Sequence, residues 1–223
     1  TAQINPSQTT NGIMKKAINN KITMSGDEML NHLIVNPNPT TSANLKSVTP
    51  TETLIGTTTY DLQSNSAVQS SRIIMHHDGS ISTGWTMSQQ YSANYTDRGT
   101  GYNYFDGISW GSQPPNRLES SRGGWPSIIV MGSGKEASIT HNTDYSYVNM
   151  THRPATGTGS WTEQILSTQD STGTYRYMIW NRSAVGGLQN EIIHMVALTA
   201  PVANQGSLYN GLDGSLLYYR SQD

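Results

Sequence analysis

Between Ser70 and Trp161 one pattern occurs twice, and that repetition limits the folds open to the chain more than any other feature. The first copy runs Arg72-Ile-Ile-Met-His-His-Asp-Gly-Ser-Ile-Ser-Thr-Gly-Trp85, crosses a polar loop, and closes on Arg98-Gly-Thr-Gly-Tyr-Asn-Tyr-Phe-Asp-Gly-Ile-Ser-Trp110. The second runs Arg122-Gly-Gly-Trp-Pro-Ser-Ile-Ile-Val-Met-Gly-Ser-Gly-Lys-Glu-Ala-Ser-Ile-Thr140, crosses another polar loop, and closes on Arg153-Pro-Ala-Thr-Gly-Thr-Gly-Ser-Trp161. Arg72 and Arg122 are 50 residues apart, and Trp110 and Trp161 are 51 apart. Each copy is an apolar run, a tight Gly turn, a second run, a loop, and a Gly-rich turn closed by Trp. A repeat of this length built from short strands predicts the four-stranded blade of a β-propeller.

The strand assignments follow from local chemistry. Thr53–Tyr60, rich in Thr, Ile and Tyr, reads as a strand. Asp78-Gly79 between Ile73–Met75 and Ile81–Met87 is a hairpin signal, and Asp106-Gly107 between Tyr102–Phe105 and Ile108–Trp110 repeats it. The second unit offers Ser127–Met131, Ala137–His141, Tyr145–Thr151 and Ser160–Leu166. A third offers Tyr175–Trp180, Ile192–Leu198 and Ser215–Tyr219, with no fourth strand before Asp223. The expected fold is therefore all-β: an incomplete propeller of about three blades over residues 51–223. Residues 1–50 stand apart as a partly helical extension. Apolar residues at helical spacing run from Ile13 to Ile22. Ser25-Gly-Asp-Glu28 reads as a capping box, and Asn36-Pro-Asn-Pro39 as a stop.

Composition narrows the function classes. Charged residues make up only 13% of the 223, with a formal net charge of −2, so no basic field draws the chain to nucleic acid or anionic lipid. No apolar run approaches the length that spans a bilayer, so no membrane insertion is expected. There is no cysteine, hence no disulfide framework and no thiolate metal site. His76, His77, His141, His152 and His194 show no ligand spacing, so no metal and no cofactor is expected.

Laid on the frame of the second unit, Ser221-Gln222-Asp223 matches the first half of Ser-x-Asp-x-Gly-x-x-Trp. That motif is the Asp-box of sialidase-like propellers, a turn whose Asp accepts backbone amides and whose Trp packs beneath it. On this frame Ser221, Asp223, Trp110 and Trp161 are structural turn residues, and the chain is expected to be part of a longer protein. The runs Tyr60–Arg72, Arg98–Trp110 and Arg117–Ser127 resemble those of large Bacteroidetes surface proteins that the type IX secretion system exports and that carry a sialidase-like propeller. The resemblance covers about Thr53 to Asp223. It implies a bacterial extracellular or outer-membrane location, the type IX machinery as a partner, and adhesion or glycan binding. Asp170-Ser171-Thr172 matches the short motif that Bacteroidetes O-glycosylate, which marks Ser171 as a modification site.

Arg72, Arg122 and Arg176 stand at the same place in three units, just before the first strand. Three guanidiniums near a propeller axis would form a cup for carboxylate or sulfate. The plain alternative is that they pair with Asp78, Asp97 or Glu119 and tie neighbouring units together. Sialidases hold a carboxylate with three arginines but also need a Tyr–Glu nucleophile pair and an acid, which the sequence does not place. Tyr102, Tyr104, Tyr145 and Tyr147 are candidates for stacking on sugar rings. The expected function is a non-enzymatic surface module that binds glycan or another cell-surface protein. The alternatives are a sialidase-type glycoside hydrolase and a structural subunit of an extracellular filament or surface complex.

Overall fold

The computed structural model describes residues 52–60, 72–91, 93–142, 147–169, 173 and 176–222. Contacts divide the chain between Thr51 and Glu52. The expected helical extension over 1–50, Ser171 and Asp223 lie outside the described residues.

The described residues form three antiparallel sheets and almost no helix. The first sheet is β1 (Ile73–Met75), β2 (Ile81–Met87) and β3 (Gly99–Phe105), in that order. The second is a meander of four: β4 (Gly123–Val130), β5 (Glu136–Asn142), β6 (Tyr147–Arg153) and β7 (Thr162–Ser167). The third is β8 (Met178–Gly186), β9 (Ile192–Thr199) and β10 (Leu216–Arg220). Every pairing joins strands adjacent in sequence, as short turns between antiparallel strands require.

Asp78 explains the first hairpin. Its Oδ1 accepts from the Ser80 amide at 2.9 Å and the Ser80 hydroxyl at 2.7 Å, while Gly79 takes φ 85°. Asp106 does the same work after β3. Its Oδ1 accepts from the amides of Ile108 and Ser109 at 2.8 and 2.7 Å, with Gly107 at φ 96°. Ile108–Trp110, however, is not the expected fourth strand. Trp110 makes a single bridge to Phe105 and packs on its ring at 5.5 Å, because the Asp106 side chain closes the turn after one pair. Nor is Thr53–Tyr60 a strand. The segment is tied to the first sheet by side chains: Thr58 Oγ1 donates to Thr86 O at 3.0 Å, and Asn103 Nδ2 donates to Ile55 O at 2.6 Å. The first strand of the third unit also begins later than expected, at Met178.

The sheets pack face to face in chain order, and the two seams differ in chemistry. One face of the first sheet carries Ser82, Gly84, Thr86, Thr100 and Tyr102, and it meets β4 and β5 through hydroxyls. Gly84 is required there, since a Cβ would stand 2.6 Å from Ile128 Cδ1. The opposite face of the second sheet is apolar. Ile129, Ala137, Ile139 and Val148 meet Met178, Met195 and Ala197 to form the core, with Leu217 and Tyr219 packed against it.

One device recurs at both seams. β4 and β8 each carry a bulge, between Gly124 and Ser127 and between Ile179 and Arg182, and each bulge holds a Trp at φ 51°: Trp125 and Trp180. The Trp125 amide donates to Thr86 Oγ1 on β2, and the Trp180 amide donates to His141 Nδ1 on β5, both at 3.2 Å. Thr86 and His141 are 55 residues apart, as are Trp125 and Trp180. The structural repeat is thus longer than the spacing of Arg72 and Arg122, and it is registered on tryptophan.

Candidate functional site

Two clusters have the chemistry of a binding site. The first contains arginines. Arg98, which precedes β3, is buried with its Cζ 4.5 Å from the Trp125 ring centroid and 5.0 Å from that of Tyr60. Its Nε donates to Gly123 O at 2.8 Å. The His141 ring is stacked on Trp125 at 4.7 Å and 14°. His141 Nδ1 accepts the Trp180 amide, so the ring is a neutral acceptor there. Its pKa is pushed down to about 3 by burial, and then by the charges of Arg98, Arg182 and Arg122. Burial also lowers Arg72 to about 10, helped by the charge of Arg182, and lowers Arg98, helped by that of Arg122.

Arg182 acts on Arg72 and Arg122 on Arg98 through charge, so each pair lies within electrostatic reach. Arg122 Nε donates to Tyr95 O at 3.0 Å. Arg176 is held elsewhere: its Nη1 donates to Leu208 O at 3.2 Å and its guanidinium lies over Tyr209. Arg72, Arg122 and Arg176 each make further interactions. The residue that sequence reasoning missed is Arg182. Aligning the units on Trp125 and Trp180, rather than on Arg122 and Arg176, would have put Arg182 at the bulge.

Of the carboxylates considered as partners, Asp78 is held by Ser80. The Asp97 Oδ2 accepts the Gln89 amide at 2.7 Å. Glu119 Oε2 accepts the Thr100 amide at 2.7 Å, and full burial raises its pKa.

The second cluster lies at the rim between the first and second sheets. A shallow cleft of about 400 Å³ is lined by Tyr104, Trp110, Asn103, Asp106, Ser109 and Ser112, among others. Tyr104 and Trp110 are half-buried, while Asp106, Ser109 and Ser112 are exposed. Gly157 closes the far wall against Tyr104, with φ 72° and no room for a side chain. Beneath the cleft lies an ion pair. Arg153 Nε and Nη2 donate to Glu136 Oε2 at 2.8 and 2.6 Å. The Arg153 guanidinium lies 4.7 Å from the Tyr102 ring centroid and 4.3 Å from that of Trp161, and the two rings meet edge to face at 5.2 Å. Trp161 is half-buried against Arg153 and Tyr102. The Tyr102 hydroxyl accepts from Arg153 Nη2 at 2.5 Å and lies 3.0 Å from Glu136 Oε1. Burial and then the Glu136 charge raise its pKa. The Tyr102–Glu136 contact ties β3 to β5 across the seam.

Ser221 continues the β10–β9 pairing: its amide donates to Ile193 O at 2.9 Å and its hydroxyl accepts the Ile193 amide at 2.9 Å. His76 sits in the first hairpin turn, with Nε2 3.0 Å from Ser82 Oγ. Among the described residues no group of three or more His, Asp or Glu could hold a metal ion. No protein-family model matches the chain, and no curated protein matches it.

Proposed function

We propose that the three sheets are consecutive blades of a sialidase-like propeller module that binds glycan at a bacterial surface without turning it over. The observation that carries the binding reading is the rim cleft. Two half-buried aromatic residues, Tyr104 and Trp110, line a shallow groove with Asn103, Asp106, Ser109 and Ser112. Saccharide rings present apolar C–H faces edged by hydroxyls, and such a groove answers both. The blade reading rests on three antiparallel sheets stacked in chain order with a recurring Trp bulge. The surface location and export by the type IX machinery rest on the sequence resemblance alone.

The arginine cluster supports a second reading, in which Arg72, Arg122 and Arg182 receive a carboxylate or sulfate on the same glycan or another anion. A glycan array probed with the 223-residue chain and with Trp110→Ala tests the first reading. Saccharide binding that Trp110→Ala reduces at least about tenfold is expected. Binding confined to sulfated or carboxylated glycans, and lost in Arg182→Ala but kept in Trp110→Ala, would move the site to the arginines. No binding to any glycan would overturn the proposal.

A further inference from the structure

The polar seam contains buried oxygens that the protein itself leaves unsatisfied. Ile139 and Val148 turn to the apolar core, so their neighbours Ser138, Thr140, Asn149 and Thr151 turn toward the first sheet. Thr140 stands opposite Asn149, and Ser138 opposite Thr151, which gathers four buried polar side chains into a patch of roughly 5 by 7 Å. Asn149 Oδ1, Thr140 Oγ1 and Thr151 Oγ1 have no hydrogen-bond partner among the described residues. The other end of the Asn149 amide is fixed, since its Nδ2 donates to Ser121 Oγ at 2.9 Å. Glu119, two residues before Ser121, reaches the same patch. Its carboxylate accepts from the Thr100 amide and hydroxyl, and Thr100 Oγ1 lies 3.1 Å from Ser138 Oγ. Thr140 Oγ1 is near enough to favour the charged carboxylate, though short of hydrogen-bond geometry. Among the described residues Glu119 forms no ion pair. The neighbouring Arg117 gives its guanidinium to the carbonyls of Thr96, Arg98, Glu119 and Ser120. Glu163, opposite Thr151 on β7, brings a second carboxylate to the edge of the patch, where its Oε2 accepts the Ser120 amide at 3.1 Å.

We propose that Glu119, Thr140, Asn149 and Thr151 hold a calcium ion in the polar seam, with Glu163 at its edge. The donor chemistry carries the choice. Every donor is an oxygen, with no imidazole and no thiolate, which selects a hard cation. Calcium takes about six to eight oxygens in flexible geometry, whereas magnesium keeps several waters that a buried patch has little room for. Water alone would satisfy the hydroxyls and the amide but leave the charge of the buried carboxylate uncompensated, and a cation answers both needs. Among the described residues no three acidic or imidazole groups converge, so neutral oxygens supply most of the coordination. For the same reason no ligand spacing marks the site in the sequence: its donors come from a loop and from two paired strands. A cleft of about 400 Å³ lined by Gln89, Asp97, Asn116, Arg117 and Glu119, among others, gives a path from solvent. The inference uses contacts within one chain and rests on neither the blade reading nor glycan binding.

Equilibrium dialysis of the chelator-stripped 223-residue chain against calcium, with the metal read by atomic absorption, tests it. A single bound calcium per chain is expected, and about 10 mM calcium should raise the melting temperature by about 4 °C or more. Glu119→Gln keeps the size of the side chain and removes its charge, and it should weaken calcium binding at least about 100-fold. Without calcium, the same variant should melt no lower than the parent, because the parent then buries an uncompensated carboxylate. A glutamate with a purely structural role would show the reverse, a lower melting temperature and no change in calcium binding. Asn149→Asp adds a charge to the patch, so it should tighten calcium binding about tenfold and lower the melting temperature of the calcium-free protein. It keeps the test open should Glu119→Gln fail to fold. No retained calcium, calcium retained equally by Glu119→Gln, an affinity unchanged in Asn149→Asp, or an equal response to magnesium would each overturn the proposal.

Discussion

Trp125 holds a φ of 51°, a conformation that costs a bulky residue of order 1–3 kcal/mol. What offsets the cost is its surroundings: the Arg98 guanidinium over its ring, the His141 ring stacked on it, and its amide on Thr86. Arg98→Ala removes the stack and leaves the Gly123 carbonyl without its donor. A loss of about 2–3 kcal/mol is expected, read as a lower urea midpoint at unchanged slope. His141 makes the protein acid-sensitive in a defined window. Its folded pKa of about 3 lies below the ordinary 6.5, so the unfolded chain takes up a proton that the folded chain refuses. Its contribution to stability is complete above pH 6.5 and is lost as pH falls from 6.5 toward 3. Glu119 acts with the opposite sign: burial raises its folded pKa, so its destabilising effect grows as pH rises above the ordinary carboxyl range. His141→Gln, which keeps an acceptor for the Trp180 amide, should flatten the fall in melting temperature between pH 6.5 and 4. An unchanged slope would show that another group carries it.

The elements divide the stability between unlike seams. In the apolar seam, Ile139 is wholly buried, and Ile139→Ala should cost about 2–5 kcal/mol. In the polar seam, Glu136 is wholly buried against Arg153, and Glu136→Gln should cost about 3–5 kcal/mol by leaving the guanidinium buried without its counter-charge. Chemical denaturation of the two variants checks both figures. The strands of the second unit were legible in the sequence because Ile128, Ile129 and Ile139 lie in β-rich runs between Gly-containing turns. The Asp78 and Asp106 turns were legible because an Asp-Gly pair carries its own hydrogen-bonding chemistry. The bulges were not. A bulge shifts register by one residue without changing composition, so Arg122 and Arg176 looked equivalent while the fold aligned Trp125 with Trp180. Thr53–Tyr60 misled for a related reason: its threonines serve as side-chain tethers to β2, where strand propensity predicts a ladder. In the candidate site, Tyr104 could be named from the sequence, and it lines the cleft. The cleft itself was not, because Trp110 and Ser112 reach it only through the turn that Asp106 closes.

At the scale of the molecule, three stacked sheets bury one apolar and one polar seam. The rim cleft lies between the first two sheets, where Gly157 of the second closes against Tyr104 of the first. Its shape therefore depends on the polar seam, so a binding measurement reads fold and function together. Calorimetric titration of the 223-residue chain with the best saccharide from an array, run beside Trp110→Ala and Arg182→Ala, tests this most directly. The account predicts that Trp110→Ala weakens binding at least about tenfold and that Arg182→Ala leaves it within about twofold. Binding that survives Trp110→Ala unchanged would contradict it.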